Sequence, residues 1–168
     1  MKPIRSLLLA AGLGTRLRPL TLSTPKCLIE VNNKPIMEYW LDKLEKIGTE
    51  KVLINQHHLS NKVDDFLINQ KERNLEIHST FEKRLLGTAG TLIANANFFK
   101  NSIGILIHAD NFTQFELNDL LEKHLSRPKC CLLTMLTFKT TNPENCGVVS
   151  LDANNIVRAF YEKELNPP

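Results

Sequence analysis

Near its start the chain carries a run that admits few folds. Ile4 to Ala10 is largely apolar and passes directly into Ala11-Gly12-Leu13-Gly14-Thr15-Arg16. A short apolar run closed by glycines reads as a strand buried on both faces, the kind found in a parallel sheet covered by helices. Lys2 and Arg5 before it faintly imitate a secretion signal, but the run breaks at the glycines, where a signal's apolar core would have to continue. Further apolar runs at 52–54, 103–109 and 130–138 alternate with segments of helical period. The expected class is therefore α/β with a mainly parallel central sheet.

The clearest helix begins at Pro35, a good first-turn residue. It places Ile36, Tyr39, Trp40, Leu44 and Ile47 on one face and stops at Gly48. Further helices are expected at 60–71, 88–97 and 116–125, each followed by a run that can re-enter the sheet. Near the end, 147–151 and 156–161 flank Asp152-Ala153-Asn154-Asn155, the pattern of a hairpin with an Asn-rich turn.

With 168 residues, 42% of them hydrophobic, the chain is expected to form one domain. Its 21 basic and 18 acidic residues are too evenly balanced to make nucleic acid or a membrane surface the main partner. No run approaches the roughly 20 apolar residues needed to cross a bilayer. Cys27, Cys130, Cys131 and Cys146 show neither zinc spacing nor the density of a disulfide scaffold, so free thiols in a reducing cytoplasm are expected. His57, His58, His78, His108 and His124 show no metal-ligand spacing either. The chain closes on Asn166-Pro167-Pro168 directly after a strand pattern. We expect from this a fragment truncated at its C-terminus, with a terminus docked on another subunit of a homo-oligomer as the alternative.

The glycine loop can be tested against two familiar motifs. A dinucleotide fingerprint needs a third glycine, but Leu17 stands there and Pro19 interrupts any helix. A P-loop needs Lys and Ser or Thr directly after its last glycine, whereas Thr15 and Arg16 follow Gly14. What remains is a loop with Arg16 and Arg18, followed after two proline-containing turns by Lys26. Its backbone amides and cations suit a polyphosphate, whose transfer chemistry rests on holding and neutralising charge. An isolated Arg or Lys is most often an ordinary surface cation; the combination points the other way.

Asp110 ends the apolar strand 103–109, which brings its carboxylate to the same sheet edge as the glycine loop. A Mg²⁺ ligand belongs there, since magnesium takes carboxylate, phosphate and water oxygens; a turn or helix-cap aspartate is the alternative. Gly87-Thr88-Ala89-Gly90 is a second small-residue turn whose free amides suit a base edge or a phosphate, or simply start a helix.

Gly12-Leu13-Gly14-Thr15-Arg16-Leu17-Arg18-Pro19-Leu20-Thr21 with Pro25-Lys26 resembles the signature of the sugar-phosphate nucleotidyltransferases, the pyrophosphorylases that make nucleoside-diphosphate sugars. Similarity continues through Asn33-Lys34-Pro35-Ile36, Leu86-Gly87-Thr88-Ala89-Gly90, Asp110, Gly147-Val148-Val149 and Glu162-Lys163. The resemblance implies a three-layer Rossmann-like nucleotidyltransferase fold. It also implies transfer of a nucleotidyl group from a nucleoside triphosphate to a sugar 1-phosphate, with pyrophosphate released.

By the same resemblance Arg16, Lys26 and Asp110 are catalytic, with Asp110 holding Mg²⁺. The nucleotide is expected on Ala10, Ala11, Gly12, Gly14, Thr15, Arg16, Gly87, Thr88 and Ala89, with Glu82 and Arg84 as further readers of the base. The sugar phosphate is expected on Lys26, Gly147, Glu162 and Lys163, although Glu162 and Lys163 alone would read as a solvated pair. Family members complete the metal site with a later carboxylate whose motif is not found before Pro168, which leaves Asp110, phosphate and water as ligands. The family more often has an aromatic residue before the glycine; Cys146-Gly147-Val148-Val149 resembles the branch acting on mannose or heptose phosphates, hence GTP as donor. A non-catalytic nucleotide-binding module and a cytidylyl- or molybdenum-cofactor-type transferase of the same fold are the competing readings.

Overall fold

The computed structural model describes residues 2–162, Asn145 by its backbone alone. Its strands are β1 (Ile4–Leu9), β2 (Glu30–Val31), β3 (Lys34–Pro35), β4 (Thr49–Gln56), β5 (Glu76–Phe81), β6 (Ile103–His108), β7 (Gly147–Leu151) and β8 (Val157–Glu162). The α-helices are α1 (Ile36–Lys46), α2 (Ser60–Ile68), α3 (Gly87–Ala94) and α4 (Leu117–Leu125). Two compact units emerge, one up to Glu122 and one from Lys123 onward.

In the first unit a four-stranded parallel sheet has the order β5-β4-β1-β6. β1 is paired on both sides, with Leu7 opposite Leu53 and Leu106, and its Leu7 and Leu8 are fully buried. The chain steps outward from β1 to β4 and β5, then returns to lay β6 on the other flank of β1. That reversal makes a topological switch point, and open α/β sheets bind ligands beside it, beyond the carboxyl ends of the strands. The mainly parallel α/β sheet read from the sequence is the fold that forms.

Helix α1 starts directly after Pro35 and ends before Gly48, whose φ of 72° suits a residue without Cβ. Ile36, Met37, Trp40, Leu41 and Leu44 face the core. The expected stripe is thus rotated: Met37 and Leu41 take the deepest places, while Tyr39 and Ile47 are half-buried. The Tyr39 hydroxyl explains its position, since it donates to the Val31 carbonyl at 2.8 Å. Strand β4 is longer than its apolar run because its polar ends, Thr49, Asn55 and Gln56, are buried as well.

In the second unit β7 and β8 form the expected hairpin, with Gly147 opposite Glu162. Asp152 organises the turn by accepting from the amides of Asn154 and Ile156, both at 2.9 Å, and Asn155 takes a φ of 59°. The expected strand at 130–138 does not form: these residues have no regular structure, and Leu132 and Phe138 are 87% and 80% exposed. An apolar run becomes a strand only where a neighbour meets its amides and carbonyls, and no described strand pairs with it.

Leu41 sits fully buried at the centre of the helix–sheet contact. Leu41→Ala is expected to lower unfolding stability by about 2–5 kcal/mol, read from urea denaturation, because the lost contacts leave a cavity.

Candidate functional site

A cleft of about 550 Å³ opens at the carboxyl edge of the parallel sheet. One wall is the turn from Ala10 to Arg16 after β1, the other is built from Glu82, Leu85, Gly87 and Thr88, and Lys26 and Asp110 close one end. All four strands deliver residues to it: β1 its glycine loop, β4 Asn55, β5 Glu82 just beyond its end, and β6 Asp110 two residues beyond its end.

The loop is held by long-range contacts. Gly14 has a φ of 62°, and a Cβ there would lie 2.8 Å from Cγ2 of Thr21, so only glycine fits. The Thr21 hydroxyl donates to the Gly14 carbonyl at 2.8 Å. His58 Nε2 lies 2.9 Å from the Thr21 carbonyl, which makes it the protonated nitrogen and His58 a buttress of the loop.

Arg16 lies in a short 3-10 turn, Thr15–Leu17, and lines the cleft. Lys26 follows Pro25 in a second such turn, Lys26–Leu28, and its Nζ donates to Oδ2 of Asp110. Their side chains are 25% and 32% exposed, so the pair is open to an incoming ligand. Beside Lys26, Cys27 is 1% exposed, and burial pushes its thiol up to about 12, leaving it inert. The four cysteines are free thiols.

The opposite wall holds a buried polar network. Asn55 Oδ1 accepts from the amides of Ala10 at 2.7 Å and Ala11 at 3.3 Å, and its Nδ2 donates to Glu82 Oε1 at 2.9 Å. Glu82 also accepts from the Thr91 hydroxyl at 2.5 Å and the Leu86 amide at 3.0 Å. Burial alone would raise the Glu82 carboxyl; donation from Asn55, Thr91 and Leu86, with His57 nearby, holds it below its ordinary value.

The geometry therefore gathers Arg16, Lys26, Asp110, Ala10, Ala11, Gly12, Gly14, Thr15, Gly87 and Thr88 around one cleft. Ala89 is exposed on α3 and does not line it, nor does Arg84. Gly147 and Glu162 lie in the second unit, directly opposite each other in the β7–β8 ladder. A Cβ on residue 147 would come within 3.2 Å of Glu162 Oε2 and 2.6 Å of the Phe160 ring. Lys163 lies outside the described residues. Asn55 and Thr91 went unmarked in the sequence, where each reads as a polar residue within a regular element.

Among the described residues no group of three or more His, Cys, Asp or Glu is placed to hold a metal ion. Asp110 alone is nevertheless a fitting donor for magnesium, which is commonly held by one or two carboxylates together with phosphate oxygens and water. Among the described residues no helix is long and apolar enough to cross a membrane.

A family model described as nucleotidyl transferase matches residues 5–168. The chain belongs to that family. It is 33% identical over 162 residues to the mannose-1-phosphate guanylyltransferase catalytic subunit beta of Drosophila melanogaster, covering 95% of this chain and 43% of that protein. It is 30% identical over 174 residues to a UTP–glucose-1-phosphate uridylyltransferase of Synechocystis, covering 95% and 44%. The chain thus spans less than half the length of these relatives. A Bacillus anthracis chain solved in complex with a sucrose superposes with a TM-score of 0.82 at 22% identity, over 98% of this chain and 66% of that one, a likeness of fold.

Two outcomes follow from this geometry. Gly14→Ala should leave the far-ultraviolet circular dichroism unchanged but weaken nucleoside triphosphate binding at least about 10-fold by calorimetry, because the loop must shift to relieve both strain and clash. Glu82 is held below its ordinary 4.5, so its contribution to stability is present above that pH and is lost as pH falls through the depressed value. The acid limb of stability against pH should accordingly be shallower in Glu82→Gln than in the parent, read by denaturant titration below about pH 4.5.

Proposed function

We propose that this chain carries the catalytic core of a sugar-1-phosphate nucleotidyltransferase, with GTP as donor and mannose 1-phosphate or heptose 1-phosphate as acceptor. The observation that carries the reading is the convergence of Arg16, Lys26, Asp110 and the glycine loop on one cleft. The finer choice of guanine and mannose is supported by the guanylyltransferase of Drosophila melanogaster; the uridylyltransferase of Synechocystis is a relative at similar identity.

In this reading a phosphate oxygen of the sugar 1-phosphate attacks the α-phosphorus in line. The new O–P bond forms as the bond to the bridging oxygen breaks, and pyrophosphate leaves with that electron pair. A sugar phosphate is already ionised at neutral pH, so the step needs no general base and rests on positioning and neutralised charge.

Arg16 neutralises the departing pyrophosphate. Lys26 exchanges Asp110 for the α-phosphate and the incoming phosphate, as a partly exposed ion pair permits at small cost. Asp110 would hold Mg²⁺, which neutralises phosphate charge and favours the in-line geometry when bound. On the acceptor side Glu162 accepts from the sugar's hydroxyls and Lys163 holds its phosphate, with Gly147 leaving room for the Glu162 carboxylate beside the Phe160 ring.

Lys26→Ala is expected to lower turnover about 10²-fold or more while shifting the unfolding midpoint little, since a partly exposed ion pair contributes weakly to stability. Pyrophosphate release from GTP, UTP, dTTP and CTP against mannose 1-phosphate, heptose 1-phosphate and glucose 1-phosphate tests the activity, and product mass identifies base and sugar. Nucleotide binding without pyrophosphate release from any pair would instead make the chain a nucleotide-binding module.

A further inference from the structure

The Asn55 side chain is 3% exposed and uses both its amide oxygen and its amide nitrogen on the walls of the cleft. Its oxygen takes the Ala10 and Ala11 amides, at the point where β1 becomes the glycine loop. Its nitrogen donates to Glu82 beyond β5 and approaches the Thr91 hydroxyl in α3 at 3.4 Å. Glu82 in turn holds the Leu86 amide at 3.0 Å, and Thr91 lies 2.9 Å from the Gly87 carbonyl, so the chain of bonds reaches the α3 end of the cleft.

We infer that Asn55 is a positioning residue for the nucleotide: it couples the loop wall to the α3 wall and so sets the width of the cleft between them. Three features carry this. The side chain bridges segments 45 and 27 residues away in the sequence, just beyond the Leu9–Asn55 and Gln56–Phe81 pairs where the ladders of β4 with β1 and β5 end. Both amides that it holds lie at the start of the loop, so the donors left to face a phosphate begin at Gly12. And a buried side-chain amide with donor and acceptor both used has one low-energy orientation, since turning it over would aim N–H groups at N–H groups. This rests on the nucleotide-binding function proposed above and goes beyond it, because Asn55 need not touch the reacting atoms.

The test exploits the polarity of the network. Asn55→Asp keeps an acceptor for Ala10 and Ala11 but loses the donor and sets a second carboxylate against Glu82. Asn55→Asp combined with Glu82→Gln reverses the donor and acceptor, and every donor faces an acceptor again once the Thr91 hydroxyl donates to the Gly87 carbonyl, 2.9 Å away, instead of to residue 82. GTP affinity with Mg²⁺ is measured by calorimetry for the parent chain and both variants, beside urea denaturation, and KM for GTP is separated from kcat wherever turnover is measurable.

The expected result is that Asn55→Asp weakens GTP binding at least about 10-fold and raises KM more than it lowers kcat, as loss of a charge-assisted bond predicts. The double variant should recover to within about 3-fold of the parent. Unchanged affinity in a folded Asn55→Asp, or a folded double variant still weakened 10-fold, overturns the role of Asn55 and leaves the proposed function standing. If the single variant does not fold, the double variant decides by the same criterion. A parent chain that binds no nucleoside triphosphate overturns the proposed function itself, and this inference with it.

Discussion

The site depends on the pairing of β1 on both of its edges. Because β4 and β6 run parallel to it and pair with it in unbroken register from Arg5 to Leu9, the end of β1 cannot shift without breaking two ladders. Parallel direction also fixes which ends of the strands meet. The glycine loop, Asn55, Glu82 and Asp110 therefore arrive at one edge although they are spread over a hundred positions of sequence. Leu7 and Leu8 are fully buried, Leu8 in one core cluster with Met37, Leu41 and Leu44 of α1, and a stiff frame is what a charge-neutralising cleft requires.

Much of this frame was legible in the sequence, and the reasons are local. The apolar run of β1, the Pro35 start and Gly48 stop of α1, and the Asn-rich turn before β8 each announce themselves within a few residues. The glycine loop was legible for the same reason, since Gly14 must be glycine for its own dihedral as well as for its neighbour Thr21. Asp110 was legible because it directly follows the apolar run 103–109.

What the sequence concealed depends on distance. Asn55 and Thr91 look like unremarkable polar residues until the fold sets them against Glu82. His58 reads as filler until it reaches the Thr21 carbonyl. The apolar run at 130–138 misleads in the opposite sense: its composition suits a strand, yet a strand is a property of two chains of backbone, and composition describes one. The stripe on α1 was read one residue askew around Tyr39, whose ring is apolar but whose hydroxyl seeks the Val31 carbonyl at the rim.

The contact of Lys26 with Asp110 gives the cleft an internal counterion. Without a ligand, the ammonium and the carboxylate cancel each other, and Arg16 is a further cation in the lining. An anion that enters must therefore win the ammonium from a carboxylate already in place, and it leaves that carboxylate in need of a cation. On the function proposed above, such a pair favours ligands that bring a positive ion along with their negative oxygens.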